Sequence, residues 1–509
     1  MYSLSKKLGP VLKTPDIDTW HRTSPFAILF FLGRIVRRIA NNAWQALAPL
    51  FAFLVAYQGD LVTKLTLGGI AFVALITTAS VLSYLFFRYQ IREDSILIRQ
   101  GVIKKKQLDI KFKRIQGVNT QQNPVYRALG LVTVSFDTAG SAASEGNLPA
   151  VSREFARALR ERIGNNTGAE RDNNTAPAEV LVKLDWRDMI RIGVTDRRAL
   201  IVVAFIGPFL DQFDNKIEGV IEGTIETVDF GLIQLDTDTG AMIVVSIVIA
   251  AALLLLMISI GAAFLRFHNF ELFLDGRTLR SHGGLLTRHE HSMDLEKIQT
   301  LRIQQGVLQS RLRRYKMTAR QAISGRRQRG QKMFVIPVVT AKLADELRRT
   351  LMAPEGGTLT QDPRSDQFTA ISPYYMRSRI LFLGVVPAII LTAALWASAG
   401  VISLVALIWF PLVSLVTWHN WKRAGYLHDD HEIVRRSGLL GYRTVGLLFR
   451  KVQRITISQS RYQRRKDLAS LRLHMASGSV KVPYIDHATA RQLRDYVLYK
   501  VESSEKAWH

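Results

Sequence analysis

Two patterns of apolar residues alternate along the chain. Continuous apolar blocks with almost no charge occupy 43–57, 65–87, 199–210, 241–265 and 380–416. Between them, apolar and polar residues take turns. About 20 apolar residues span a bilayer, so the blocks predict membrane-spanning helices. The last block, too long for one span, predicts two, hinged near the "ASAG" of 397–400. Six spans in three pairs result. The third, 199–210, is the shortest, with Asp211 and Asp214 at its end. Buried helices of a soluble protein would account for a block of that length but not for the longest ones. Before the first span, "SPFAILFFLGRIVRRIA" (24–40) has the spacing of an amphipathic helix lying at the interface. The arginines that follow its apolar run distinguish it from a cleavable signal.

The alternating stretches predict half-buried strands. "SILIRQGVI" begins at Ser95, and Leu108, Ile110 and Phe112 follow at every second position. Val445, Leu447 and Phe449 repeat that pattern later, and Met293 and Leu295 keep most of it in between, where His291 takes the first place. "LVTVSF" (131–136) and "LRLHMA" (471–476) are later strands. Each alternating region closes with a helical stretch, at 152–163, 339–352 and 486–501, with Ser152 and Asp486 as N-caps.

These regions are three copies of one unit. Gly101, Gly284 and Gly438 each precede two aliphatic residues. Gln116, Gln299 and Gln453 follow at one constant spacing, and Gln122, Gln305 and Gln459 at a second. A base and an aliphatic stand before the first glutamine: Arg114-Ile115, Lys297-Ile298 and Lys451-Val452. "A-x-x-L-R" recurs at 156–160, 344–348 and 490–494. Ile115 and Val118 lie three apart where a strand would place them two apart, so the first glutamine marks a turn or bulge. Its amide can satisfy backbone groups that the ladder leaves unpaired, which makes these glycines and glutamines candidate fold determinants. The fold class is α+β: a membrane protein of six transmembrane helices in three pairs, each pair followed by an antiparallel β-sandwich or barrel capped by a C-terminal helix. The expected division is 1–87 (interfacial helix and first span pair), 88–163 (first domain), 164–198 (polar linker), 199–265 (second pair), 266–352 (second domain), 353–379 (linker), 380–418 (third pair) and 419–503 (third domain).

Charge sets the expected orientation. Lys and Arg number 68 against 42 Asp and Glu. The bases concentrate in 88–198, 266–379 and 419–509, whereas 211–239 holds eight acids and one lysine. By the positive-inside rule both termini and all three domains are cytoplasmic. The absence of cysteine excludes disulfides and thiolate chemistry. "GRRQRGQK" (325–332) lacks the Gly-Lys-Ser/Thr run of a phosphate loop. The acids of "HDDH" (428–431) fall at the tip of the first hairpin, where acidic residues suit turns; "HEH" (289–291) has metal-binding residue types without a wider constellation. No catalytic, cofactor or metal site is expected, nor nucleic-acid binding, because aromatic residues do not interleave with the bases. The candidate surface for anionic phospholipid headgroups or a partner is basic: Lys104, Lys105 and Lys106; Arg311, Arg313, Arg314 and Lys316; Arg461, Arg464, Arg465 and Lys466. Each base near an anionic bilayer contributes about 1 kcal/mol.

The Gly-aliphatic-aliphatic, [K/R]-[I/V]-Q and second-Gln signature resembles the bacterial pleckstrin-homology-like domain, and three copies alternating with span pairs resemble the YdbT type of membrane protein. The resemblance covers nearly the whole chain. It implies two near-orthogonal antiparallel sheets with a C-terminal helix, a bacterial cytoplasmic membrane, no known catalysis, and a link to protection against antimicrobial compounds. One departure stands out. The family's Arg-x-x-Gly-Leu-Gly is approached by "RALGLV" (127–132), but "RLRRYK" and "RKDLAS" replace it, implying that the second and third domains diverged. Acids at the first hairpins (Glu93, Asp94, Asp275, Asp429, Asp430) argue against a eukaryotic-type phosphoinositide pocket. A non-enzymatic inner-membrane scaffold is expected, bound to the lipid bilayer and to another membrane protein or a second copy. The alternative is a transporter or lipid-handling protein that uses the span bundle.

Overall fold

The computed structural model describes residues 19–41, 60–102, 104–138, 146–166, 179–196, 227–229, 234–321, 333–353 and 356–504. The expected spans 43–57 and 199–210, with most of the acidic segment, lie outside the described residues.

The first repeat runs β1 (Trp20–His21), α1 (Ala27–Asn41), α2 (Leu61–Leu85), β2 (Arg88–Ile91), β3 (Ser95–Gln100), β4 (Lys106–Lys111), a 3-10 turn (Phe112–Arg114), β5 (Ile115–Gln122), α3 (Pro124–Ala128), β6 (Leu131–Thr138), β7 (Gly146–Ser152) and α4 (Arg153–Asn166). The second runs β8 (Glu179–Lys183), α5 (Trp186–Val194), a small hairpin of β9 (Thr227–Asp229) and β10 (Gln234–Asp236), α6 (Thr237–Phe267), β11 (Glu271–Asp275), β12 (Thr278–Gly283), β13 (Arg288–Asp294), a 3-10 turn (Leu295–Lys297), β14 (Ile298–Gln305), α7 (Val307–Arg311), β15 (Tyr315–Gln321), β16 (Met333–Val339) and α8 (Ala341–Met352). The third runs β17 (Thr369–Ala370), α9 (Tyr374–Arg379), α10 (Val386–Ala399), α11 (Trp409–Arg423), β18 (Gly425–His428), β19 (Glu432–Ser437), β20 (Tyr442–Leu448), a 3-10 turn (Phe449–Lys451), β21 (Arg454–Ser458), α12 (Arg461–Arg464), β22 (Leu468–Met475), β23 (Gly478–Asp486) and α13 (His487–Glu502).

Each repeat has its own hydrophobic core, built from the alternating apolar positions. Phe112, Ile96 and Ile98 are fully buried in the first, as are Leu447 and Phe449 in the third. The 3-10 turn divides every repeat into an early and a late half-sheet, and all pairings are antiparallel. The half-sheets do not stay within their repeats. β5 pairs with β13 and β14 pairs with β20, giving two seven-stranded sheets in the orders β7-β6-β5-β13-β12-β11-β8 and β16-β15-β14-β20-β19-β18-β17. The expected series of self-contained sandwiches is therefore corrected: neighbouring repeats share sheets, because each offers a strand edge whose backbone groups seek partners.

The expected linkers are also corrected. Within 164–198, β8 adds to β11, and α5 packs on α6, where Gly193 leaves no room for a Cβ against Ile260 and its carbonyl accepts from Ser259 Oγ at 2.9 Å. Within 353–379, β17 adds to β18. β1 adds to β2 in the same way. Each repeat thus begins with a strand ahead of its spans. α1 forms where the sequence predicts an amphipathic helix and is held to α2 by Ser80 Oγ on the Ile28 carbonyl at 2.8 Å.

Among the described residues, four helical stretches are long and apolar enough to cross a membrane: 66–85, 249–267, 374–398 and 400–423. The last two break at Gly400, whose φ of 50° suits glycine. They lie side by side, with Trp409 Nε1 donating to the Leu383 carbonyl at 2.8 Å.

Candidate functional site at the first joint between repeats

The recurring glycines make the same turn three times. A Cβ on Gly101, Gly284 or Gly438 would collide with the carbonyl oxygen three residues ahead. In the second repeat this turn docks on the end of α6: Gly284 N donates to the His268 carbonyl at 2.8 Å and Leu285 N to the Leu265 carbonyl at 3.0 Å. In the third, Arg423 at the end of α11 donates to the Leu439 carbonyl at 2.6 Å. The exposed aliphatic pairs Leu285-Leu286 and Leu439-Leu440 thus sit beside the membrane helices.

The glutamines divide into two groups. Gln122, Gln305 and Gln459 do one job: each side-chain amide donates to a carbonyl nine residues ahead (Leu131, Arg314, Leu468), at 2.7, 3.4 and 2.9 Å, closing the loop that contains the short helix. Gln116 and Gln299 lie where strand register shifts. Gln299 is 1% exposed and accepts from Ser477 N of the next repeat at 2.7 Å. Gln453 is exposed, and only its backbone is engaged here, donating to the His474 carbonyl at 2.8 Å. The base ahead of the glutamine reaches backwards. Lys297 Nζ donates to the Ile115 carbonyl at 3.1 Å, and the buried Lys451 Nζ donates to the carbonyls of Ile298, at 2.6 Å, and Glu296. The repeated phrase is therefore part of the joint between repeats.

A cavity of about 490 Å³ opens at the first joint. Arg153, Arg157 and Arg160 line it from one face of α4 at i, i+4, i+7 spacing. Arg127 of α3 and Arg288 of β13 complete the basic lining, and His268, His282 and His289 line it beside the end of α6. Glu290 is its one acid, held by Arg160 at 2.7 Å and Thr120 Oγ1 at 2.9 Å. Burial acts to raise the Glu290 pKa, but the bond and charge of Arg160, with Thr120 and Arg280, keep it below the ordinary range. Burial, aided by Arg266, lowers His289; it drives His291 down to about 4, with His289 and Arg266 adding to the effect. Both shifts favour the neutral ring, and the two rings stack with centroids 6.1 Å apart. The arginines supply planar, permanently charged donors that match phosphate or carboxylate oxygens. Nothing in the lining is a nucleophile activated by a base.

The expected basic clusters lie elsewhere. Lys104, Lys105 and Lys106 are exposed on the first Gly turn and the start of β4. Arg311, Arg313, Arg314 and Lys316 surround α7, and Arg461, Arg464, Arg465 and Lys466 surround α12. Lys466 and Arg377 both sit over the Tyr374 ring at the mouth of the last span pair. The clusters do not converge on one cavity. The site's arginines were missed because they belong to two repeats; the i, i+4, i+7 spacing on α4 was the available signal. Among the described residues no three His or acidic side chains gather as metal ligands. In "HDDH", Asp429 Oδ1 accepts from His431 N at 2.8 Å and Glu432 N at 2.7 Å, as a hairpin tip does.

The "RALGLV" departure has a backbone explanation. Gly130, Arg313 and Asp467 occupy one equivalent position and share a left-handed conformation, with φ of 68°, 50° and 50°. The turn is kept without its glycine in the second and third repeats.

Tandem half-sheets joined through helices that cross a membrane define a membrane-anchored protein of repeated PH-like domains. The chain belongs to the bacterial PH domain family, whose model matches residues 39–167, 226–354 and 380–501. It is similar to the UPF0699 transmembrane protein YdbT of Bacillus subtilis (strain 168), at 22% identity over 431 residues, covering 81% of this chain and 83% of that protein. No solved structure matches.

Proposed function

We propose that this protein is a non-enzymatic scaffold of the bacterial inner membrane. Its three PH-like repeats lie on the cytoplasmic face, with six spans and both termini inside, and the cavity at the first joint holds an anionic headgroup. The observation that carries this reading is the convergence of five arginines from two repeats in a cavity abutting the end of a membrane helix. One of them is neutralised by Glu290; the others leave a strong preference for an anion. The basic asymmetry of the sequence supports the orientation, and the relative's name supports the membrane location. Transport finds less support: in the described spans, charged side chains stand only near the ends, whereas transport pathways use intramembrane polar groups.

The test uses the full chain in neutral detergent with soluble short-chain phosphatidylglycerol and phosphatidylcholine. An isolated repeat would be cut across a shared sheet. Phosphatidylglycerol should bind, phosphatidylcholine should not, and added salt should release it. Arg157→Gln with Arg288→Gln should weaken binding at least tenfold, whereas Lys104→Gln should change it little. Equal binding of both lipids, or no effect of the double substitution, would refute the headgroup site.

A further inference from the structure

The two ends of the row of repeats carry strand edges that the interior uses up. β4 pairs only with β3, and β21 only with β22, among the described residues. Their counterparts are both consumed. β13 and β20, equivalent to β4, pair with the preceding repeat; β5 and β14, equivalent to β21, pair with the following one. The two internal joints share one register: Gln122 faces Arg288, and the equivalent Gln305 faces Tyr442. The side chains follow the same division. Lys297 and Lys451 each reach back to a preceding repeat. Gln299 is covered by a following repeat, whereas Gln453 is exposed.

We propose that the chain assembles head to tail, β21 of one copy pairing antiparallel with β4 of the next in the register of the internal joints. That register sets Ser458 opposite Lys106, Thr456 opposite Leu108 and Arg454 opposite Ile110. No like charges face each other, which would be unfavourable. Because the pairing copies the internal joints, every added copy keeps its spans on the same side of the row, as one bilayer requires. The contact is heterologous, so it closes into a ring or continues as a row. It goes beyond the headgroup reading and needs no anionic lipid.

The wild-type chain has no cysteine, so the test is clean. Full-length Lys106→Cys/Ser458→Cys protein in phosphatidylcholine vesicles is treated with a short bismaleimide. Dimers and a ladder of larger species should form on denaturing gels. A mixture of the two single variants should give dimers only, and each single variant alone should stay monomeric. Gln121→Cys/His289→Cys, the equivalent pair at the first internal joint, should link within one chain. Linkage by either single variant alone would mean symmetric contact and overturn the proposal. So would a link confined to the monomer, or no link while the internal pair reacts. Failure of the internal pair would remove the register on which the proposal rests.

Discussion

The two internal joints make the same backbone contact, and their described residues fill it differently. At the second joint, the segment ahead of β17 lies in the groove. Thr444 Oγ1 donates to the Gln361 carbonyl at 2.7 Å, Arg364 reaches Ser310 at 2.9 Å, and Arg348 Nη1 meets the Gly357 carbonyl at 3.4 Å. Glu432 accepts from Leu359 N and fastens the segment. At the first joint the equivalent positions line the open cavity: Glu290 stands for Thr444, Arg127 for Ser310 and Arg160 for Arg348. The two joints thus share their strand pairing but differ in the described side chains that face the groove. One groove is closed by the chain's own backbone, while the described residues leave the other with arginines facing a void.

The largest expected effect breaks the second joint. Lys451→Met leaves the Glu296 and Ile298 carbonyls unpaired in the interior and should cost about 3 kcal/mol, read as a lower melting temperature of the full chain in detergent. Lys297→Met, with one bond and partial exposure, should cost about 1 kcal/mol. Equal losses would mean that the two joints are held alike.

Glu432 tests the filled groove through pH. Burial raises its pKa to about 7, with Asp429 adding to the rise against the Leu359 bond and Arg348. The folded state then holds a proton that the unfolded state has released between about 4.5 and 7, so stability falls as pH rises through that window and stays lower above it. Glu432→Gln keeps an acceptor for Leu359 N without the charge. It should raise stability by about 2 kcal/mol at pH 8 and by almost nothing at pH 4. A pH-independent difference would assign the effect to packing instead.

A smaller contrast separates the first glutamines. Gln299→Ala strands Ser477 N at the joint and should cost about 1–2 kcal/mol. Gln453→Ala, at an exposed position, should cost less than about 0.5 kcal/mol in the monomer. Hydrogen exchange at Ser477 should quicken only in the first variant. Smallest of all, Arg313→Gly and Asp467→Gly relieve left-handed backbone and should each stabilise by about 0.5 kcal/mol after the entropy of glycine is counted. Gly130→Ala should act in the opposite sense.

Much of the architecture could be read from residues alone, because its causes are local. Charge-free blocks of bilayer length, a two-residue alternation and glycines needed for one tight turn state their reasons within a few positions. The phase slip at the first glutamine likewise located the register shifts in β5 and β14. The candidate site was not legible. Its arginines come from α3, α4 and β13, and Thr120 meets Glu290 across 170 residues of chain. The conserved job of Gln122, Gln305 and Gln459 was visible as spacing, but not as a bond across nine residues.

By itself, then, the sequence determined three membrane-tethered repeats, their strand phase, their closing helices and the turns that need glycine, since each depends on propensity or periodicity over a short window. Only the tertiary structure decided which edges pair. An exposed edge has the same backbone donors and acceptors in every repeat, so the choice between closing a sheet within a repeat and sharing it with a neighbour depends on where the whole fold places those edges. That choice buried Gln299 and left Gln453 exposed, turned Lys451 inward, and gathered the arginines of two repeats around one cavity.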